Sequence, residues 1–344
     1  MKVAVLCTRD RRGLPSEDNT AAARDVAGAL KRLGHAATIV PMRRPPPRLR
    51  CDVVFNLCEG VDGDPRREPT VAAWLDLLRI PYTGNGPETL WRALDKALVP
   101  GPTAPRFVAE SPFFPWRRQV RFPAIVKPRF EDASLGIDQD SVVTSLLALR
   151  ERVDYIVSRF GDAIVEEYVD GREFNVAITD DGVLGISEID FSGLPKGFPR
   201  IVTYAGKWNA KSVDSLGTVP IFPAKAPRAV GKIALAAARE LGCRGYARVD
   251  LRMNARGRIF VLEVNPNPDL ARNAGMPPAA AAAGWSYEDL IGRILGYAFR
   301  ESDPGVSAGR GEAAACVRGL HGEGDRGVPR ARGHRARKTG SEGL

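Results

Sequence analysis

Two apolar runs near the carboxy end carry charge where a core strand would normally carry none. "GYARVDLRMN" (245–254) and "RIFVLEVN" (258–265) have the length and aliphatic content of buried strands, and "ARGR" (255–258) joins them as a hairpin signal. Side chains two apart share one face of a strand. Arg248 and Asp250 therefore lie together, as do Glu263 and Asn265. A hairpin sets Asp250 and Glu263 on adjacent strands, where two carboxylates repel unless a cation lies between them. Two acids and an amide oxygen make an oxygen-rich Mg²⁺ site, with Arg248 placed beside developing negative charge. The ten residues "VLEVNPNPDL" (261–270), read alone, also fit a strand end whose Glu and Asn are solvated and whose prolines stop the sheet.

Other charges are equally out of place. Lys127 follows "AIV", and Glu166 and Glu167 follow "AIV" again. Lys96, Lys127 and Lys207 stand in three separate segments, each near a turn or loop, and suit phosphate oxygens as point charges. The loop "RFEDASLGI" (129–137) has small residues at Ala133, Ser134 and Gly136, so its backbone N–H groups could close over phosphates. Each lysine alone reads as a solvated surface charge. Three lysines followed by acid, acid and amide read as a phosphate and metal site.

The amino-terminal third alternates strand and helix: "KVAVLC", "NTAAARDVAGALKRLG", "HAATIVP", "CDVVFNLC", "TVAAWLDLLR" and "IPYTG". That pattern predicts a small parallel α/β domain. No G-x-G-x-x-G follows the first strand and no G-x-x-x-x-G-K-[ST] occurs, which disfavours a Rossmann site and a P-loop. An α+β unit with "FPAIVKP", a helix over 145–160, "AIVEEYV" and "FNVAIT" follows. A third unit holds "GVLGISEI", a long polar loop over 191–218, the helix "RAVGKIALAAARELG", the charged hairpin and a final amphipathic helix. The expected boundaries are 1–95, 96–184 and 185–301, with 302–344 a disordered basic tail of Gly, Arg and Ala.

Hydrophobic content of 44% and charged content of 26% suit a soluble globular chain. The net charge of +9 is dispersed apart from the tail and has no aromatic-rich basic strand beside it, which argues against nucleic acid as a partner. No apolar run reaches membrane-spanning length. Five widely spaced cysteines and three scattered histidines point to reduced cytoplasmic thiols and against zinc.

The order of these blocks resembles the ATP-grasp superfamily, and within it the D-alanine–D-alanine ligase family. The matching stretches are "IPYTGNG", "LDKALV", "FPAIVKPRFEDASLGI", "IVEEYVDGREFNVAI", "YAGKWNAK", "GYARVDLRMN" and "VLEVNPNPDL", spread over about residues 1–300. The resemblance implies a three-domain ATP-grasp fold and an ATP-dependent ligase that joins a carboxylate to an amine through an acyl phosphate, as in cell-wall precursor synthesis. It implies that Lys96, Lys127 and Ser134 meet the ATP phosphates. Glu166 and Val169, with the backbone near Glu167, would hold the adenine, and Glu173 the ribose. Lys207 would reach the γ-phosphate, with Trp208 as its aromatic neighbour. Asp250, Glu263 and Asn265 would bind two Mg²⁺ ions, with Mn²⁺ as an alternative. Arg248 would stabilise the acyl phosphate, and Glu17 would meet the first substrate's amino group. Small amino-acid or peptide substrates and a homodimer are further implications.

Three departures fall on the amino-acid side. A Ser of the family's Glu-Gly-Ser-Ser run is Ala133. The family's His-Gly is Cys58-Glu59. A Ser-rich turn that grips the second substrate becomes "ARNAGMP", where Ala274 replaces a hydroxyl and Arg272 or Asn273 could take over. A hydroxyl lost from a buried pairing costs about 1–3 kcal/mol, so a changed amino-acid or dipeptide substrate is expected. A non-catalytic ATP-binding sensor module is the alternative from another class.

Overall fold

The computed structural model describes residues 1–8, 19–45, 48–62, 64–113 and 120–300. Glu17 and the tail expected over 302–344 lie outside the described residues.

The parallel sheet expected at the amino terminus is present. β1 (Lys2–Thr8), β2 (Ala36–Met42) and β3 (Val53–Leu57) pair in the order β2-β1-β3. β1 and β3 are buried almost throughout, as strands covered on both faces must be. α1 (Thr20–Arg32) packs Val26 and Leu30 on one side. α2 (Glu68–Leu78) and α3 (Pro87–Leu94) bring Leu75 and Leu90 to the other. "IPYTG" contributes one parallel bridge, Val54 to Tyr82, and no strand.

A second, antiparallel sheet follows, in the order β4-β7-β5-β6. Its strands are β4 (Arg106–Ala109), β5 (Ala124–Pro128), β6 (Val142–Val143) and β7 (Ala163–Glu167). α4 (Leu146–Phe160) covers it with Leu149, Val153 and Ile156, spaced for one helical face. The Ser145 hydroxyl caps this helix by accepting from the Ala148 N–H.

The third sheet runs β10-β9-β8-β11-β12 and is antiparallel throughout. It comprises β8 (Gly171–Thr179), β9 (Gly182–Asp190), β10 (Val219–Ile221), β11 (Tyr246–Asn254) and β12 (Ile259–Asn265). "FNVAIT" lies here, in β8, and not beside β5 and β7. Thr179 pairs with Gly182, so only Asp180 and Asp181 form the loop, and so tight a turn commits β8 to β9. The expected boundary after 184 therefore falls inside β9.

Residues 191–218, read as a polar loop, contain α5 (Tyr204–Trp208) and α6 (Val213–Leu216). Thr203 and Ser212 cap them, and the Thr203 hydroxyl donates to buried Asp214 at 2.5 Å. α7 (Arg228–Leu241) covers the third sheet with Val230, Ala234 and Leu241. α8 (Met276–Ala282) packs against β9, and α9 (Tyr287–Tyr297) returns to α1 beside the first sheet, where Leu290 and Ile294 share a core with Val26. No helix among the described residues is long and apolar enough to cross a membrane.

Candidate active site

Residues of all three sheets line one cavity of about 1020 Å³. Every residue singled out from the sequence as nucleotide, metal or catalytic ligand lines it, apart from Glu17, which lies outside the described residues.

The charged hairpin forms one wall. Asp250 stands opposite Glu263 and Arg248 opposite Asn265, with a register shift just after Asp250. Arg248 donates to both Asp250 oxygens, at 2.7 and 2.8 Å, and lies 3.6 Å from Glu263. Burial works against the Glu263 charge, but Lys96, Lys207 and Arg248 outweigh it and hold the carboxyl down at about 2. The Asn265 carboxamide oxygen accepts from the Asn267 N–H at 2.9 Å, which fixes its orientation. These donors are hard oxygens, two of them carboxylate, which fits Mg²⁺ or Mn²⁺ better than a soft-ligand metal. No three His, Cys, Asp or Glu converge among the described residues.

The lysines enter from separate elements. Lys96 opens a short 3₁₀ turn (Lys96–Leu98) that the Asp95 carboxylate caps. Its ammonium donates to the Glu131 carbonyl and sits 3.9 Å from Asp132. Lys127, on β5, pairs with Glu166 of β7 at 2.7 Å, and both are buried. Arg106 stands opposite Glu166 on β4, with its Nη1 3.7 Å away. That nitrogen is buried with no hydrogen-bond partner among the described residues, while Nη2 donates to the carbonyls of Ala97 and Val99. Lys207 belongs to α5 rather than to an open loop.

The small-residue loop is tightly held. Ala133 and Ser134 both adopt positive φ, 54° and 62°, a conformation that side-chain-bearing residues take at a cost. Gly136 has φ 75°, and a Cβ there would lie 2.7 Å from the Pro128 ring and 2.9 Å from Phe160. Buried Arg152 donates to the Gly136 carbonyl at 2.8 Å and to Asp138 at 3.0 Å. The Ser134 hydroxyl donates to the Val202 carbonyl at 3.0 Å, and Trp208 Nε1 to the Ala133 carbonyl at 3.1 Å. These bonds close the lysine-bearing segment over the loop.

The end of the cavity where the sequence departs from the family pattern differs in character. Ala133, Asn273 and Ala274 line the cavity, whereas Arg272 turns away to Asp25 and Glu288, at 3.6 and 3.5 Å. Glu59 and Glu68 are additional acids on this wall. Burial pushes the Glu59 carboxyl up to about 8, reinforced by Asp269 and opposed by a hydrogen bond from Asn19. Burial also raises Glu68, against a 2.8 Å hydrogen bond from Asn267. Asn267 extends the two-residue alternation of Glu263 and Asn265, a signal already present in "VLEVNPNPDL". Its carboxamide also donates to the Cys58 carbonyl at 3.1 Å and accepts from the Tyr246 hydroxyl at 3.0 Å. Burial of Glu59 and Glu68 left no comparable mark in the sequence.

Comparison with known proteins agrees with this architecture. A family model described as the D-ala D-ala ligase C-terminus matches residues 111–296. An uncharacterised protein of Sinorhizobium fredii, y4sG, is 33% identical over 305 residues, covering 80% of this chain and 86% of that protein. A D-alanine–D-alanine ligase of Oleidesulfovibrio alaskensis is 31% identical over 283 residues, covering 79% of this chain and 89% of the ligase. The crystal structure of the Bacillus anthracis D-alanine–D-alanine ligase complexed with ATP superposes with a TM-score of 0.67 at 20% identity. It covers 87% of this chain and 98% of that one, a likeness of fold.

Proposed function

The chain belongs to the D-alanine–D-alanine ligase family of ATP-grasp proteins, and from that premise we propose that it is an ATP-dependent carboxylate–amine ligase. The observation that carries this reading is the meeting of amines from three separate segments with the Asp250–Glu263 pair around one cavity.

In this reading Glu166, Val169 and the backbone at Glu167 seat the adenine, and Glu173 accepts from the ribose. Lys96, Lys127 and the Ser134 loop neutralise and position the phosphates, and Lys207 meets the γ-phosphate. The γ-phosphoryl group passes to a substrate carboxylate, giving an acyl phosphate and ADP. An amine then attacks the acyl carbon and phosphate leaves, forming an amide bond. Arg248 stabilises charge on the acyl phosphate and the tetrahedral intermediate. The closed position of the Lys207 segment excludes water, which would otherwise hydrolyse the acyl phosphate. Asp250, Glu263 and Asn265 are the residues that would hold Mg²⁺, which when bound neutralises phosphate charge.

Ala133 and Ala274 on the cavity wall, with Glu59 and Glu68 also lining it, support a substrate pair other than two D-alanines. Hydroxylamine tests the mechanism: with ATP, Mg²⁺ and a carboxylate substrate, it traps an acyl phosphate as a hydroxamate. ADP formed without any hydroxamate would count against an acyl phosphate.

A further inference from the structure

Arg252 follows Arg248 and Asp250 at the same two-residue interval on β11, so all three share one face of the strand. It is 3% exposed and lines the cavity. Its guanidinium reaches three different elements. Nη2 donates to the Glu173 carboxylate, which stands directly opposite on β8, and to the Arg200 carbonyl at 2.6 Å. Nη1 donates to the Val169 carbonyl at 3.0 Å, between β7 and β8. The rings of Tyr168 and Phe191 flank it at 5.5 and 5.6 Å.

Arg200 lies upstream of Lys207 in the closing segment. Its N–H donates to the Tyr168 hydroxyl at 3.0 Å, and its guanidinium grips Asp170 at 2.8 and 2.5 Å. One side chain thus holds the carbonyl of Val169, a residue assigned above to the base, the acid assigned to the sugar, and the approach to Lys207. A planar guanidinium makes several donations at fixed angles, which an ammonium cannot reproduce. Arg252 engages one Glu173 oxygen, which leaves the other for the ribose hydroxyl proposed above.

We infer that Arg252 is a positioning residue that links the nucleotide-sugar acid Glu173 to the segment carrying Lys207, so that nucleotide binding and closure of that segment stabilise each other. The inference rests on ATP being the nucleotide, as proposed above. Linkage makes the effect reciprocal: ATP should protect residues 191–218 from proteolysis to the extent that their closure tightens ATP binding.

The test measures two quantities on the full chain. One is affinity for ATP and for 2′-deoxy-ATP. The other is the rate of protease cleavage within 191–218, with and without ATP. In the wild type, ATP binds more tightly than its deoxy analogue and slows cleavage. Arg252→Met should weaken ATP binding by about tenfold to hundredfold, flatten the preference over 2′-deoxy-ATP and abolish protection. Arg252→Lys should recover part of the affinity without the protection. Where Arg252→Met does not fold, Glu173→Gln/Arg252→Met removes the stranded charge and should likewise lose protection. A folded Met variant, single or double, that binds ATP like the wild type and is still protected overturns the inference. Wild-type protein that binds no ATP instead overturns the proposed function, and the inference with it.

Discussion

Lys127 and Glu166 form a buried pair whose disruption can be reckoned from its surroundings. Replacing Lys127 by Met removes the ammonium 2.7 Å from a carboxylate that is 6% exposed. Stranding a buried charge costs about 3–5 kcal/mol. Here the unbonded Arg106 Nη1 waits 3.7 Å away and can take up part of the charge. The expected loss for Lys127→Met is therefore smaller, about 2–3 kcal/mol. Glu166→Gln strands Lys127, which is 7% exposed and has no second acid within ion-pair distance among the described residues, and also strands Arg106. That variant should lose the full amount, about 3–5 kcal/mol. The double variant carries neither charge and should lose less than the sum, by about 2 kcal/mol. Urea unfolding of all four proteins at constant m-value measures the cycle. Losses that add to within about 0.5 kcal/mol would refute the pairing as the source of either effect.

Three more expectations follow from the same geometry. Glu263→Gln should leave the protein folded, with a lower melting temperature because the charge that Lys96, Lys207 and Arg248 favour is lost, and should cut ATP turnover at least about a hundredfold; near-normal ADP release would mean that the metal wall is misplaced. Gly136→Ala should cost about 1–3 kcal/mol by overpacking against Pro128 and Phe160 at a positive φ, and an unchanged melting temperature would show that the loop relaxes freely. Glu59 binds its proton more tightly folded than unfolded, its carboxyl rising from 4.5 to about 8. The stability it contributes is complete below about pH 4.5 and is lost as pH rises through about 8. The stability of the wild type relative to Glu59→Gln should fall as pH rises across that window, and parallel curves would contradict the assignment.

The parts of the fold written in local periodicity could be read directly. The Asp250–Glu263 wall needed only the alternation of two strands and the "ARGR" turn, both short-range signals. The helix expected over 145–160 is likewise local, its apolar residues Leu149, Val153 and Ile156 falling at helical spacing. Sheet membership was harder, because strand pairing is decided by distant partners. "FNVAIT" follows β7 in sequence, yet the turn at Asp180 and Asp181 draws it to β9. α5 and α6 are too short for periodicity to register and exist through the Thr203 and Ser212 caps and the Asp214 bond. Arg252 sits in the same alternation as Arg248 and Asp250, but its importance depends on Glu173, Val169 and Arg200, far apart in sequence. Glu59 and Glu68 are ordinary charged residues until burial in the cavity shifts them. Arg272, a sequence candidate for the second substrate, is drawn off by Asp25 and Glu288.

Amino-acid-stimulated ADP release reports on the central claim most directly. Purified protein with ATP and Mg²⁺ should release little ADP alone, and markedly more with at least one pair from a panel of D- and L-amino acids and dipeptides, with an equimolar amide product. ATP binding accompanied by no stimulated ADP release across that panel would contradict a ligase and favour a nucleotide-sensing module.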